Sequence, residues 1–348
     1  MDDRRILARN TVLLVVTFVA TLALLGGLAL GFSQRDPTRA GGPAITATPV
    51  AVAPSVGPTT AGGSTSAPPA TPPGSPPASA PPAIDPVLVG AGDIGDCDTR
   101  DDSATAALIE GIPGTVFTAG DNAYPDGTAK QFRDCYGPTW GRFLDRTRPA
   151  PGNHDFHTKG GSGYLEYFGD AAVNADGDAW YSYDLGAWHV IVLNSECDDA
   201  GGCKPGSPQG RWLAADLAAT NAVCTLAIFH EPRFSSGFHG NSRSVAPFWD
   251  ALYAAGADLI VNGHDHDYER FAPQNPDGHE DRDRGIREFI VGTGGTGLRK
   301  FEEIVPNSEL RASVSHGVLK LTLRPRGYDW EFIPTQGSFS DTGSASCH

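Results

Sequence analysis

The 348-residue sequence predicts an α/β fold, a sandwich of two β-sheets packed face to face with helices outside. Three observations predict it. After Pro86 short apolar runs alternate with amphipathic stretches of helical spacing. Two pairs of runs separated by short glycine-bearing turns read as hairpins. And nearly every apolar run ends on a polar cluster, as strands do when their carboxyl ends build a site.

The residues before that domain read differently. Residues 1–10 carry Arg4, Arg5 and Arg9, and an uncharged run of 22 residues, 11–32, follows. At about 1.5 Å per residue it reaches about 33 Å, enough for a hydrocarbon core of about 30 Å. The arginines place the N-terminus in the cytoplasm and all that follows residue 32 outside. The run is long for a signal peptide, so an uncleaved membrane anchor is the expectation, with cleavage near Ala29-Leu30-Gly31 and secretion as the alternative. Residues 33–86 are mostly Pro, Ala, Gly, Ser and Thr; they cannot bury enough apolar surface to fold and are expected to be a disordered spacer. Residues 87–348 remain for one large domain.

Within it, 87–92, 115–120, 224–229 and 258–263 read as buried strands, with a shorter run at 148–151. Residues 208–219 read as a helix with Leu213 and Leu217 on one face, Ser207 as N-cap and Pro208 at the first helical position. A second helix is expected at 246–255. The hairpins pair 180–185 with 188–193 around Gly186, and 318–323 with 328–333 around Gly327. The net charge of -15 argues against a nucleic-acid-binding surface, and none is expected, although bound cations can reverse the local field for a small phosphorylated substrate. Six cysteines in a chain directed outward suggest disulfides. Cys197 and Cys203 flank a short flexible stretch; the other pairings stay open, Cys97–Cys135 and Cys224–Cys347 being the guess.

The polar clusters carry the chemistry. They are Gly92-Asp93-Ile94-Gly95, Gly120-Asp121-Asn122-Ala123-Tyr124, Gly152-Asn153-His154-Asp155, a strand-end His230, and Gly263-His264-Asp265-His266. Each alone is an ordinary polar turn, and His-x-His on a strand would turn both rings to one face. Five in succession, each after an apolar run, are expected to converge.

In this order the series resembles the calcineurin-like metallophosphoesterases, specifically the purple acid phosphatase branch, over about residues 87–335. Gly95 stands where the broader superfamily carries a metal-binding histidine, and Tyr124 supplies the missing ligand. The 263–270 run also resembles that branch, while Asp155 stands where plant members usually carry Glu. The resemblance implies the metallophosphoesterase fold, a four-layer α/β sandwich with two mixed β-sheets flanked by helices. It implies two metal ions, one held by Asp93, Tyr124 and His266, the other by Asn153, His230 and His264, with Asp121 bridging them. His154 would stand beside the leaving group, and His239 would face the substrate.

These donor types suit iron, manganese or zinc. A phenol with a pKa of about 10 needs a highly charged ion to ionise it in mild acid, which favours Fe3+ beside Tyr124 with Fe2+, Zn2+ or Mn2+ as its neighbour. A bridged pair about 3.5–4 Å apart generates hydroxide and clamps an in-line displacement at phosphorus, and an imidazole at His154 can protonate the leaving alkoxide. The expected function is an acid phosphatase-like phosphomonoesterase outside the cytoplasm. The alternatives are diester or nucleotide hydrolysis at the same site, a non-catalytic surface binding module, and redox chemistry at an iron pair. Three further signals weigh little. The G-x-G-x-x-G run 292–297 lacks a helix after it and reads as a tight loop near the site. Residues 275–283 read as a solvated loop rather than a calcium loop, and Ser235-Ser236 as part of a polar loop. Specificity is assigned to loops 156–180, 196–207 and 234–243.

Overall fold

Burial of alternate side chains builds two sheets and two cores. The computed structural model describes residues 85–348; the expected cytoplasmic tail, membrane anchor and nearly all of the spacer lie outside the described residues. Along the chain the strands are β1 (Val87–Ala91), β2 (Thr115–Ala119), β3 (Thr147–Ala150), β4 (Tyr181–Leu185), β5 (Trp188–Val192), β6 (Cys224–Ile228), β7 (Leu259–Asn262), β8 (Tyr268–Phe271), β9 (Arg287–Val291), β10 (Ser308–Ala312), β11 (Gly317–Arg324), β12 (Gly327–Pro334) and β13 (Asp341–Ser346). The helices are α1 (Asp101–Glu110), α2 (Ala129–Gln131), α3 (Ser162–Phe168), α4 (Pro208–Ala219) and α5 (Ala246–Ala254). One sheet has six strands in the order β13-β12-β11-β1-β2-β3, the other seven in the order β10-β8-β9-β7-β6-β5-β4. Both are mixed. β1, β2 and β3 run parallel with β11 antiparallel beside β1, and β5, β6, β7 and β9 run parallel between antiparallel neighbours.

Strands buried on both faces read as continuous apolar runs, which is why the sequence marked them. Trp188, Val190 and Val192 of β5 join a core shared with the six-stranded sheet. Ile191 of β5 and Leu193 beyond it join a second core with Leu213 of α4 and Phe248, Trp249 and Leu252 of α5. Each such large side chain gains about 1.5–3 kcal/mol on leaving water. Helix α4 begins as the sequence predicts: the Ser207 Oγ accepts the Gly210 N–H at 3.0 Å, and Pro208 opens the first turn. Strands β8, β10 and β13 carry no apolar run long enough to be read. β13 is a polar edge strand, held by pairing with β12 and by Asp341, which accepts from the Tyr268 hydroxyl at 2.8 Å and the Arg270 Nε at 2.6 Å. The disulfides are Cys97–Cys135, Cys197–Cys203 and Cys224–Cys347, the last tying the start of β6 to the chain end.

The β4–β5 hairpin is pinned to α4 by one imidazole. His189 lies with Nδ1 2.9 Å from Asp184 and Nε2 2.8 Å from Asp216, which also accepts the Ser182 hydroxyl at 2.6 Å. The Asp216 hydrogen bond, working against burial, raises the His189 pKa above 6.5. A raised histidine pKa stabilises the fold fully below the unfolded value and loses that contribution as pH rises through the folded one. His189→Gln should therefore destabilise the domain by about 1–2 kcal/mol in mild acid, Asp184 adding little because it is exposed. Urea denaturation across pH should show the gap between wild type and variant narrowing at alkaline pH. A gap constant from about pH 5 to pH 9 would mean that the imidazole is uncharged in this clamp.

Candidate metal centre

Strands β1, β2 and β3 of one sheet and β6 and β7 of the other end at one rim, where the five polar clusters meet. The first two loops are zipped together: Asp93, Ile94 and Gly95 donate their N–H groups to the carbonyls of Gly120, Asp121 and Asn122 at 3.0, 2.9 and 3.0 Å, and Tyr124 donates back to Gly95 at 2.8 Å. A Cβ on Gly95 would lie 2.8 Å from the Asn122 carbonyl oxygen, so no side chain fits there and the nearby donor is the Tyr124 phenol. Gly120 takes a φ of 86°, and a Cβ there would stand 2.4 Å from Nδ1 of His230. Four described non-glycine residues take a left-handed backbone, and three are Asp93, Asp121 and His264, with φ of 60°, 50° and 70°. Such conformations cost about 1–3 kcal/mol each and persist where surrounding structure enforces them.

The donor atoms form two cages that share one oxygen. The Tyr124 hydroxyl lies 2.8 Å from Asp93 Oδ1, 2.9 Å from Asp121 Oδ2 and 3.4 Å from His266 Nε2. His266 Nε2 is 3.5 Å from Asp93 Oδ1. In the second cage Asn153 Oδ1 is 3.1 Å from both His230 Nε2 and His264 Nδ1, which are 3.2 Å from each other. The shared Asp121 Oδ2 is 3.2 Å from His230 Nε2. Donors held at right angles about 2.1 Å from an ion lie about 3.0 Å apart, the spacing of these edges.

The cages fit cations on chemical grounds. His230 has Nδ1 2.8 Å from the Ala119 carbonyl, and His266 has Nδ1 2.8 Å from that of Gly297. The His266 donation leaves a lone pair on its Nε2 facing the Asp93 carboxylate. On His230 burial opposes charge, but Asp121, 3.2 Å from Nε2, raises the pKa well above 6.5, so a proton stands there where a cation would. Tyr124 likewise has one proton between two carboxylate oxygens. Lone pairs so opposed in a buried site call for a positive charge between them. The electrostatics agree. Burial raises the Asp93 pKa to about 6 against the attraction of His230. Burial, with Asp121 adding to it, raises Asp155 to about 7. Burial lowers His266 to about 4 and, with His230, holds His264 well below the usual imidazole value. Burial opposes charge on Asp121 as well, but His230 outweighs it and holds that carboxyl below the ordinary range.

A supporting layer fixes the donors. Buried Asp155 accepts the backbone N–H groups of Asn122 and Gly152 at 3.0 Å and the Asn122 amide at 2.8 Å, joining the second and third clusters. His154 donates its backbone N–H to Asp121 Oδ1 at 2.8 Å; its Nδ1 lies 2.6 Å from the Pro125 carbonyl and its Nε2 3.9 Å from Asp121 Oδ2. The His239 ring lies 4.2 Å from that of His264, with its Nε2 2.6 Å from Nη1 of Arg299. The sequence did not single out Arg299, whose only signal was its position two residues after the glycine-rich run. That run is a tight loop against the site: Gly294 and Thr296 donate to the carbonyls of Gly92 and Asp93 at 2.8 and 3.0 Å.

Two expectations are corrected. His264 and His266 are not on a strand; they lie in a bend between β7 and β8, and the left-handed His264 delivers the two rings to different cages. Ser235 and Ser236 are buried rather than part of an exposed polar loop. Their hydroxyls donate to Asp265 and Glu269, and Asp265 also accepts the His239 N–H at 2.7 Å, so these serines fasten the His239 loop from below. The 275–283 segment is a surface loop of turns capped by the Asn275 and Asp281 side chains.

Comparison with known proteins gives a consistent picture. The calcineurin-like phosphoesterase family model matches residues 87–268, just over half of the chain, a span that takes in every donor above. Purple acid phosphatase 18 of Arabidopsis thaliana is 31% identical over 158 residues, 42% of this chain and 35% of its own length. Probable inactive purple acid phosphatase 1 of the same plant is 25% identical over 279 residues, 67% of this chain and 43% of its own length. The chain thus spans less than half the length of these relatives. Among solved structures, a purple acid phosphatase from yellow lupin seeds superposes with a TM-score of 0.61 at 20% identity, covering 75% of this chain and 53% of that one, a likeness of fold.

Proposed function

The chain belongs to the calcineurin-like phosphoesterase family, and on that premise we propose that it hydrolyses phosphate monoesters at a pair of metal ions, in the manner of an acid phosphatase. The observation that carries this reading is the shared oxygen: Asp121 Oδ2 stands 2.9 Å from the Tyr124 hydroxyl in one cage and 3.2 Å from His230 Nε2 in the other. Asp93, Tyr124 and His266 would hold one ion, Asn153, His230 and His264 the second, and Asp121 both. When bound, such a pair acidifies water and neutralises phosphoryl oxygens. The completeness of the donor set supports turnover over a purely binding role, although one relative is named as probably inactive.

His154 is the proton donor in this reading. With Nδ1 committed to the Pro125 carbonyl, the proton it can give is on Nε2, at the mouth of the site where an alkoxide would depart. His239 borders the substrate on the other side. Ferric iron is the ion we infer beside Tyr124. Burial and the carboxylates of Asp121 and Asp93 hold the phenol pKa well above 10, so a highly charged ion is needed to draw off the proton. We infer also that the domain works outside the cytoplasm, tethered or released. The three disulfides support this, as does the arginine-flanked apolar run at 11–32.

The direct assay is phosphate release from a chromogenic monoester with and without chelator. Asp121→Ala should lose both metals and nearly all activity while circular dichroism stays native; a variant that retains two metals per chain removes the bridging role. His154→Ala should lower turnover by about 10²–10⁴-fold on an alkyl ester and far less on an activated aryl ester. Equal losses on both would make His154 a binding residue. The oxidised protein should be coloured through phenolate-to-iron charge transfer, and Tyr124→Phe should bleach the band with most of the iron retained. A colourless wild type that contains ferric iron would rule the phenolate out.

A further inference from the structure

The rim of the centre carries one guanidinium that the reading above does not use. Arg299 follows the glycine-rich loop, and its backbone N–H donates to the carbonyl of His266 at 3.0 Å. Its Nη1 donates to His239 Nε2 at 2.6 Å, and its guanidinium carbon lies 5.0 Å from the centre of the Phe238 ring. No described acceptor takes the protons on its Nε or Nη2, and no described carboxylate pairs with it. Phe238 is 56% exposed, and its ring meets that of His239 edge-on at 5.1 Å. His264, His239, Arg299 and Phe238 therefore form a continuous row that leads outward from the second cage.

We propose that Arg299 is a specificity residue that anchors a second oxyanion carried by the leaving group of the substrate, with Phe238 as the wall that holds the guanidinium in place. The proposal rests on the phosphoester reading and deepens it. A leaving group departs outward from the cages, and a neutral alcohol offers nothing to a fork of N–H donors. A carboxylate or a second phosphate matches that fork. The need is general in this molecule. With 41 acidic against 26 basic side chains, its field opposes multiply charged ligands, and a local cation at the rim offsets that repulsion. The aromatic face keeps the guanidinium oriented without neutralising it, which a carboxylate partner would do.

The test compares substrates whose leaving groups do or do not carry a second charge, and reads the change in preference between variant and wild type, in which the intrinsic reactivity of each bond cancels. For the full chain loaded with metal, kcat/KM is measured on 3-phosphoglycerate against glycerol 3-phosphate, and on ADP against AMP. Arg299→Gln should lower the preference for the doubly charged member of a pair by about 10- to 100-fold, the worth of one charge-assisted hydrogen bond, mainly through KM. Arg299→Lys should restore part of it, because the charge returns without the fork. An effect confined to the first pair identifies a carboxylate as the ligand, and one confined to the second identifies a phosphate. Equal losses on all four substrates, at unchanged metal content, overturn the proposal and leave Arg299 as a prop for His239. A wild type that hydrolyses none of the four defeats the phosphoester reading itself, and the anchor with it.

Discussion

Everything at the rim depends on the burial of carboxylates without lysine or arginine partners. Asp93, Asp121 and Asp155 are all but inaccessible to water, and none is paired with a lysine or arginine. Isolated buried charges of one sign are costly, so the fold meets them with imidazoles, backbone N–H groups and a phenol. Asp155 is satisfied by N–H groups alone and serves as a knot between loops. Asp93 and Asp121 are not satisfied in that way. Their oxygens share one phenolic proton, and both residues sit in left-handed backbone enforced by the zipped loops. That negative charge, relieved only in part by His230 and by one backbone N–H to each carboxylate, is what makes the two cages receptive to cations.

The remaining architecture delivers these groups from two directions. The six-stranded sheet contributes the clusters after β1, β2 and β3, and the seven-stranded sheet those after β6 and β7. The cages therefore straddle the seam between the sheets: the His264 N–H donates to Asp93 Oδ2 at 2.8 Å across 171 positions of sequence. Val190, Leu226 and Val261 of the second sheet pack in the core shared with the first sheet, which holds the two sets of donors together within each cage.

Much of this was legible in the sequence because strands buried on both faces leave continuous apolar runs, and because each run ends on residues of unmistakable chemistry. The donors Asp93, Asp121, Tyr124, Asn153, His230, His264 and His266 were each named by position, and their side chains do gather. What stayed hidden follows from tertiary contact. Arg299 and Asp265 act through partners distant in sequence, and Ser235 and Ser236 look like solvent-facing residues until the structure shows Asp265 and Glu269 accepting their hydroxyls. The His-x-His pair misled because alternation assumes an extended chain, whereas His264 reverses the backbone. Strand β13 escaped because its pairing rests on Asp341 and on β12 rather than on apolar side chains.

The position of β1 has a consequence for how the chain must mature. It is the first strand of the domain, yet it lies in the middle of its sheet, with β2 on one side and β11 on the other, Val87 opposite Thr322. During synthesis one edge of β1 stays bare until nearly the whole domain has emerged, and pairings so distant in sequence form slowly. The nascent domain thus carries an open, apolar strand edge for most of its length, a state prone to mispairing. A chain cut short before β11 would leave the loop that bears Asp93 supported on one side only.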